Sequence, residues 1–302
     1  MAFRSGYGTI AQDSPAPSDV DAERAAMLQT SSSKNTFVSR CVEHLNVNVT
    51  KSWGDVALLG CYLITGLLDS SSIMTWGSFV SMQTGKYLFC PRSHNIHRIR
   101  QTCLTNTTGN TVYLGLGIIA PEENDRWLRA LISIVSFCFG SFCFSNFHRH
   151  FSPCKRWVLI ASFSLQTLFI LIAALMATLS PQVTKSDPLN ARVGVSIGLI
   201  AFQASGQAVA SRALRYSGLT SVVLTSNYCD LFSDSRLFEW GLKANPERNR
   251  RIAAPILLLA GAMIGGVWAH SSVGLTGALW TAVGLKAVVV LAWAVWAPER
   301  QT

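Results

Sequence analysis

Two long stretches without a charge restrict the fold of this chain more than any other feature. Trp157 to Leu179 is 23 residues without Asp, Glu, Lys or Arg, and Ile252 to Leu285 is 34. At about 1.5 Å per residue the first matches a hydrocarbon layer about 30 Å thick, and the second is too long for one crossing. The second is expected to turn near AHSSVGLTG, residues 269 to 277. A soluble core helix can imitate one such run but not a set of them. Composition agrees: 14% of residues are charged against 49% hydrophobic, and the charges sit in short islands.

Candidate spans are 55–73, 77–85 continued by 110–120, 128–147, 157–179, 193–211, a short one at 217–232, 252–270 and 273–296. The expected fold is therefore an all-α polytopic membrane helix bundle with seven or eight apolar segments. The stretch 217–232 has 16 residues and carries Asp230, which fits a re-entrant or broken helix whose backbone is covered by protein or lines a cavity. Residues 1–50 are polar, with Pro15 and Pro17 and no apolar run. They read as a disordered tail before a membrane domain at 51–298. No basic region leads into a hydrophobic signal segment, so insertion is expected to start at the first span.

The net charge of +9 is spread over loops such as HRHFSPCKR, 148–156, and NPERNRR, 245–251. Neither has the interleaved aromatics of a nucleic-acid site, so no nucleic-acid partner is expected and the basic residues are read as orienting the chain in the bilayer. With eight spans and an inner N-terminus, Lys and Arg divide 15 inside to 9 outside, 4 of the latter from residues 86–109. Seven spans with an outward N-terminus give the same 15 to 9; with 86–109 removed the first arrangement becomes 15 to 5 and the second 11 to 9, and the positive-inside rule then favours eight segments with both termini inside, with the plasma membrane favoured over internal membranes. The eight cysteines form no disulfide framework and no metal-site spacing. There is no nucleophile elbow, zincin pattern, phosphate loop or dinucleotide fingerprint, so neither an enzyme nor a cofactor is expected.

Residues 86–108, KYLFCPRSHNIHRIRQTCLTNTT, interrupt the apolar pattern with basic clusters. Joined across 86–109, the chain reads FVSMQTG-NTVYLGLGIIA, a smooth segment with a polar centre. Gly85-Lys86-Tyr87 can be encoded with an embedded GTAAGT splice donor, and an excision of 24 codons would keep the frame. The segment is read as a translated intron or, alternatively, as a genuine inserted loop.

The polar residues of the apolar segments are the candidates for function. Asp69 lies in the first span, where a carboxylate faces a cavity, a partner or the interface; its DSSS context also suits a helix cap. With residues 86–109 removed, VSMQTGNTVYL aligns with VVLTSNYCDL, which places Thr84, Gly85 and Asn110 over Thr225, Ser226 and Asn227. Two such polar breaks suggest two related halves. Transporters put their sites where broken helices of two repeats meet; the plainer reading is helix packing through small polar residues. Gln203 and Gln207 share a helix face, and Lys286 stands near the middle of the last span, where pairing with Asp69 or Asp230 is the expectation. Gly194 with Gly198, and Gly261 with Gly265, suit close helix contact.

The stretches DVALLGCYLITGLLDSSSIMTWGSFVSMQTG (55–85), NTVYLGLGI (110–118) and FQASGQAVASRALRYSGLTSVVLTSNYCDLFSD (202–234) resemble the YoaK-type domain-of-unknown-function family numbered 1275, over roughly residues 50–297. Gly66, Asp69, Thr84, Gly85, Asn110, Gly206, Gln207 and Thr225 fit its motifs; the insertion splits its Thr-Gly-Asn triplet. The resemblance implies a multi-pass membrane protein of a kind found in bacteria and fungi, here fungal-type, and no activity. The expected function is a small-solute or ion permease, with a cavity lined by the two breaks and Asp69. The alternative is a membrane scaffold, assembly or sensory component. The lipid bilayer and a small solute or ion are the expected partners, and the oligomeric state is open.

Overall fold

In the computed structural model the described residues are 39–40, 42–50, 54–81, 109–121, 125–179, 188–216, 219, 221–222, 224–238 and 245–298. The chain divides into two units, Met1–Asn46 and Val47–Thr302. Residues 42–46 of the first are helical, with the Asn46 amide donating to the Val42 carbonyl. The expected disorder of the tail falls largely on residues 1–38, outside the described residues.

The described residues of the second unit form eight helices: α1 Gly54–Trp76, α2 Asn110–Ile119, α3 Arg126–His150, α4 Arg156–Thr178, α5 Ala191–Ala213, α6 Thr225–Phe232, α7 Pro246–Ala269 and α8 Leu275–Val295. Six of them, all but α2 and α6, are long and apolar enough to cross a membrane. Their ends follow ordinary capping rules. Asn245 caps α7 by accepting from the Arg248 N–H at 3.0 Å, with Pro246 in the first turn, where its missing N–H costs nothing. Asn190 caps α5 in the same way.

The expected span from 77–85 into 110–120 is not a continuous helix. Residues 77–81 are irregular and α2 has 10 residues. Gly77, at φ 72°, reverses the chain after Trp76, in a backbone region that L side chains rarely adopt. Among the described residues of 217–232 the helical part is the 8-residue α6. The described residues thus give six long spans and two short helices.

The element kinds come in the same order twice: long helix, irregular turn, short helix, long helix, long helix. The two sets, α1–α4 and α5–α8, run in opposite directions. Asp55 at the start of α1 pairs with Arg250 at the start of α7 at 2.6 Å, and Gly66 and Ser70 of α1 meet Leu258 and Gly265 of α7 further along, so α1 and α7 are parallel. Asp125 before α3 accepts from the Leu189 N–H before α5 at 2.9 Å, and Ser136 and Phe144 meet Gly198 and Gly206, so α3 and α5 are parallel. Helix α4 is antiparallel to α8: Arg156 donates to the Trp296 carbonyl at one end and Trp280 to Thr178 at the other. Since α7 and α8 form a hairpin, as do α3 and α4, α1 opposes α5, α3 opposes α7 and α4 opposes α8.

Burial follows the same correspondence. In α1 and α5, 67% and 78% of the apolar stretch is buried; α3 and α7 have 28% and 22%, and α4 and α8 have 44% and 33%. The first helix of each set is therefore central and the others face outward. Their outer faces carry Phe139, Phe142, Leu168, Leu259, Met263, Val267, Val288 and Leu291, all exposed. An apolar belt of this extent is stable only against lipid or another apolar surface.

The parallel pairs approach closely at glycine. A Cβ on Gly66 would stand 2.0 Å from the Leu258 carbonyl oxygen and one on Gly261 2.0 Å from that of Leu63; one on Gly140 would stand 2.4 Å from Ser205 Oγ. Small residues let helix backbones meet where water gives no hydrophobic drive, as the spacing of Gly194 with Gly198 and Gly261 with Gly265 suggests.

Candidate functional site

The polar residues of the first half gather around residues 76–81. Asp69 lies seven residues before the end of α1, about 10 Å back along the helix, and is 2% exposed. One of its carboxylate oxygens accepts from the Val80 N–H at 2.9 Å and the Ser81 N–H at 2.8 Å. The chain beyond Trp76 therefore folds back into the protein beside its own helix. Asn110, fully buried at the start of α2, accepts from the Phe79 N–H at 3.1 Å and donates to the Phe79 carbonyl at 2.8 Å and to Ser133 Oγ at 3.0 Å. Arg129, also buried, donates to the Trp76 carbonyl at 2.7 Å, where a cation suits the negative end of the α1 dipole.

Irregular backbone inside a membrane protein persists only when its N–H and C=O groups are satisfied internally. Asp69, Asn110, Ser133 and Arg129 do this for the Trp76 carbonyl, both backbone groups of Phe79 and the N–H groups of Val80 and Ser81. Because Asn110 meets Ser133 two turns into α3, while Gly117 meets Trp127 at its start, α2 begins inside the bundle and ends at its surface. Residues 77–81 and α2 are thus both re-entrant, lying within the bundle at the end where α1 finishes.

The second half has a counterpart at the opposite end. Ser221, 1% exposed and at φ 59°, hydrogen-bonds through its backbone to Tyr62, eight residues into α1. Helix α6 then returns outward along α7. Asn227, 1% exposed, donates to the Arg251 carbonyl at 2.8 Å. That carbonyl is the one freed by Pro255 four residues later, since proline has no N–H to offer it. Arg250, in the first turns of α7, stacks over the ring of Tyr216, which lies outside the spans, with its centre 5.2 Å away. Burial, and next the Asp55 carboxylate, push the Tyr216 hydroxyl above its ordinary pKa.

Gln203 and Gln207 are buried in α5 and linked to each other at 3.5 Å, while Gln203 Nε2 and Gln207 Oε1 have no hydrogen-bond partner. Beside α5, Gln166 donates to Ser162, which also contacts His148. Lys286 is fully buried, with Nζ 5.2 Å from the centre of the Phe163 ring and without a hydrogen-bond partner among the described residues.

Asp69 and Asn110 are thus brought together, whereas Asn227 stands near the other end of the bundle. Thr225 is exposed at the start of α6, and Thr84 lies outside the described residues. The expected pairing of Lys286 with Asp69 or Asp230 is not formed: Asp69 serves the re-entrant backbone and Asp230 is exposed. Ser133 and Arg129 were not among the sequence candidates. An Arg in the first turn of a span reads as an interfacial charge, and a serine among small residues reads as packing; only the re-entrant turn gives them a task.

Six helices long and apolar enough to cross a membrane, with exposed apolar outer faces, mark a polytopic helical membrane protein. The chain belongs to the family described as "Protein of unknown function (DUF1275)", whose model matches residues 96–292. The match opens inside the 86–109 stretch. No curated protein and no solved structure matches the chain.

Proposed function

We propose that this protein is a permease for a small solute or ion, built from two inverted halves of three spans and one re-entrant helix each. The observation that carries this reading is the opposed direction of α1–α4 and α5–α8, with a re-entrant element entering from each end. Inverted repeats supply two interconvertible arrangements of the same helices, so access can alternate between the two faces by moving one set against the other. Helix α2 begins at the buried Asn110 and ends at the surface, which aims its first backbone N–H groups at the interior. Asp69, Asn110 and Asn227 hold these elements in place rather than lining one shared cavity.

The end bearing the start of α1 is taken as cytoplasmic. Among the described residues of the second unit it carries nine Lys and Arg, from Arg149 to Arg251, against Arg126, Arg129 and Arg192 at the other, as the positive-inside rule requires. The test is flux into proteoliposomes containing the purified full chain. Saturable, gradient-dependent uptake of a solute or ion, reduced by Asp69→Ala, is expected; a folded protein that moves none of a broad panel would leave a scaffold or sensory role.

A further inference from the structure

We infer that Lys286 is the binding group for a small monovalent anion inside the membrane domain. Lys286 stands 11 residues after the start of α8 and nine before its end, about 16 and 14 Å from the two ends. Its side chain is 0% exposed, so it does not snorkel to either surface. A lone ammonium at that depth is costly, and charged groups there pair with one another or mark an ion or substrate path.

The described residues offer Lys286 no counter-charge. Asp55 is paired with Arg250, Asp234 and Glu247 with Arg251, Asp125 accepts from Leu189, and Asp69 accepts from Val80 and Ser81. Asp230 is on the exposed face of α6. What faces Nζ is the Phe163 ring and, electrostatically, Cys61. A cation–π contact offsets only a small part of the cost of a bare buried ion.

A second group identifies the sign of the ligand. Trp293, two turns beyond Lys286 on the same face of α8, is 1% exposed, packs on the same Phe163 ring at 6.1 Å, and has an Nε1–H without a partner among the described residues. Lys and Trp side chains donate and never accept, so unpartnered groups on either side of one Phe163 contact favour an anion over a cation. Between α1, α4 and α8 that anion is small: an inorganic monovalent ion or the carboxylate of a short organic solute. Lys286 lies outside both re-entrant clamps, and only the transport of this anion rests on the permease reading; its binding does not.

The test is the thermal unfolding of the purified full chain at constant ionic strength. One arm varies chloride and nitrate, a second formate and acetate, and a third Na⁺, K⁺ and choline with gluconate fixed. The wild type is expected to gain Tm saturably with one of the first two arms and not the third, the responding arm naming the source. Lys286→Met is expected to fold with an equal or higher Tm and to lose the anion response, by about tenfold or more in apparent affinity; Lys286→Arg is expected to keep part of it. An anion response unchanged in Lys286→Met, no saturable response in the wild type, or a Lys286→Met protein that no longer folds would each overturn the assignment. Anion binding without flux would leave the site and remove the permease; solute flux unaffected by Lys286→Met, with no anion response, would do the reverse.

Discussion

Asn227 and Pro255 are joined through a single carbonyl. Pro255 removes the N–H that would bond the Arg251 carbonyl within α7, and the Asn227 amide takes its place at 2.8 Å. A proline in a span is thereby converted into the anchor of the re-entrant α6. Asn227→Ala is expected to cost about 1 kcal/mol, and less in a Pro255→Ala background, where the helix bonds its own carbonyl. A double-mutant cycle of unfolding free energies in detergent measures the difference, and equal costs in the two backgrounds would break the link.

Asp69 performs the corresponding task in the first half with a charge. Asp69→Ala leaves the Val80 and Ser81 N–H groups buried without an acceptor, and about 3 kcal/mol is the expected loss. Asp69→Asn keeps one acceptor oxygen and is expected to cost less. Hydrogen exchange should rise at Val80 and Ser81 before it rises in α1.

Glycine tolerance should follow the close contacts rather than the sequence. Gly66→Leu, Gly140→Leu and Gly261→Leu each drive side-chain atoms into a neighbouring helix backbone and are expected to cost 3 kcal/mol, as an order of magnitude, or to abolish folding. Gly266→Leu and Gly284→Leu meet nothing within 4 Å of the added Cβ and should leave Tm within about a degree or two. Size-exclusion profiles and thermal melts of the five variants check this.

The loop between α6 and α7 carries an acid-sensitive contact. The Arg236 N–H, then the Asn245 amide, with Arg251 nearby, hold the Asp234 carboxyl below its ordinary pKa. A depressed carboxyl stabilises the folded state above its unfolded pKa of about 3.9 and loses that contribution as pH falls through the lower folded value. The wild type should therefore lose more stability than Asp234→Asn on acidification below about pH 4, and the two should run parallel from pH 5 to 7.

Residues 86–109 should be dispensable. Asn110 bonds Phe79, which brings their Cα atoms within about 8 Å, and the four residues 82–85 can span from Ser81 to Asn110 at roughly 3.5 Å each. The chain lacking 86–109 is expected to melt at or above the temperature of the full chain, and transcripts without the corresponding 72 nucleotides are expected on sequencing. A misfolded deletion product would make the segment a genuine part of the domain.

The long spans were legible because nothing but lipid explains repeated charge-free runs such as Trp157–Leu179. The turn at Gly77 was not, because 77–85 and 110–120 are apolar enough to read as one helix, and what breaks them is side-chain bonding from Asp69 and Asn110 across the fold. The likeness of the two halves could be glimpsed at Asn110 and Asn227. Their opposed direction could not, since it depends on which helices pair: Asp55 with Arg250 and Asp125 with Leu189 are separated by 195 and 64 positions. The isolation of Lys286 was equally hidden, because a sequence shows which carboxylates exist and not which are already engaged.

The inverted arrangement is tested most directly by sidedness. Single cysteines at Thr50, Leu179, Asn190 and Ala297, in a background with the native cysteines replaced, can be labelled with a membrane-impermeant maleimide in right-side-out and inside-out vesicles. Three spans per half place Thr50 and Ala297 on one side and Leu179 and Asn190 on the other. If all four react from the same side, each half crosses an even number of times and the halves are parallel, which would contradict the account.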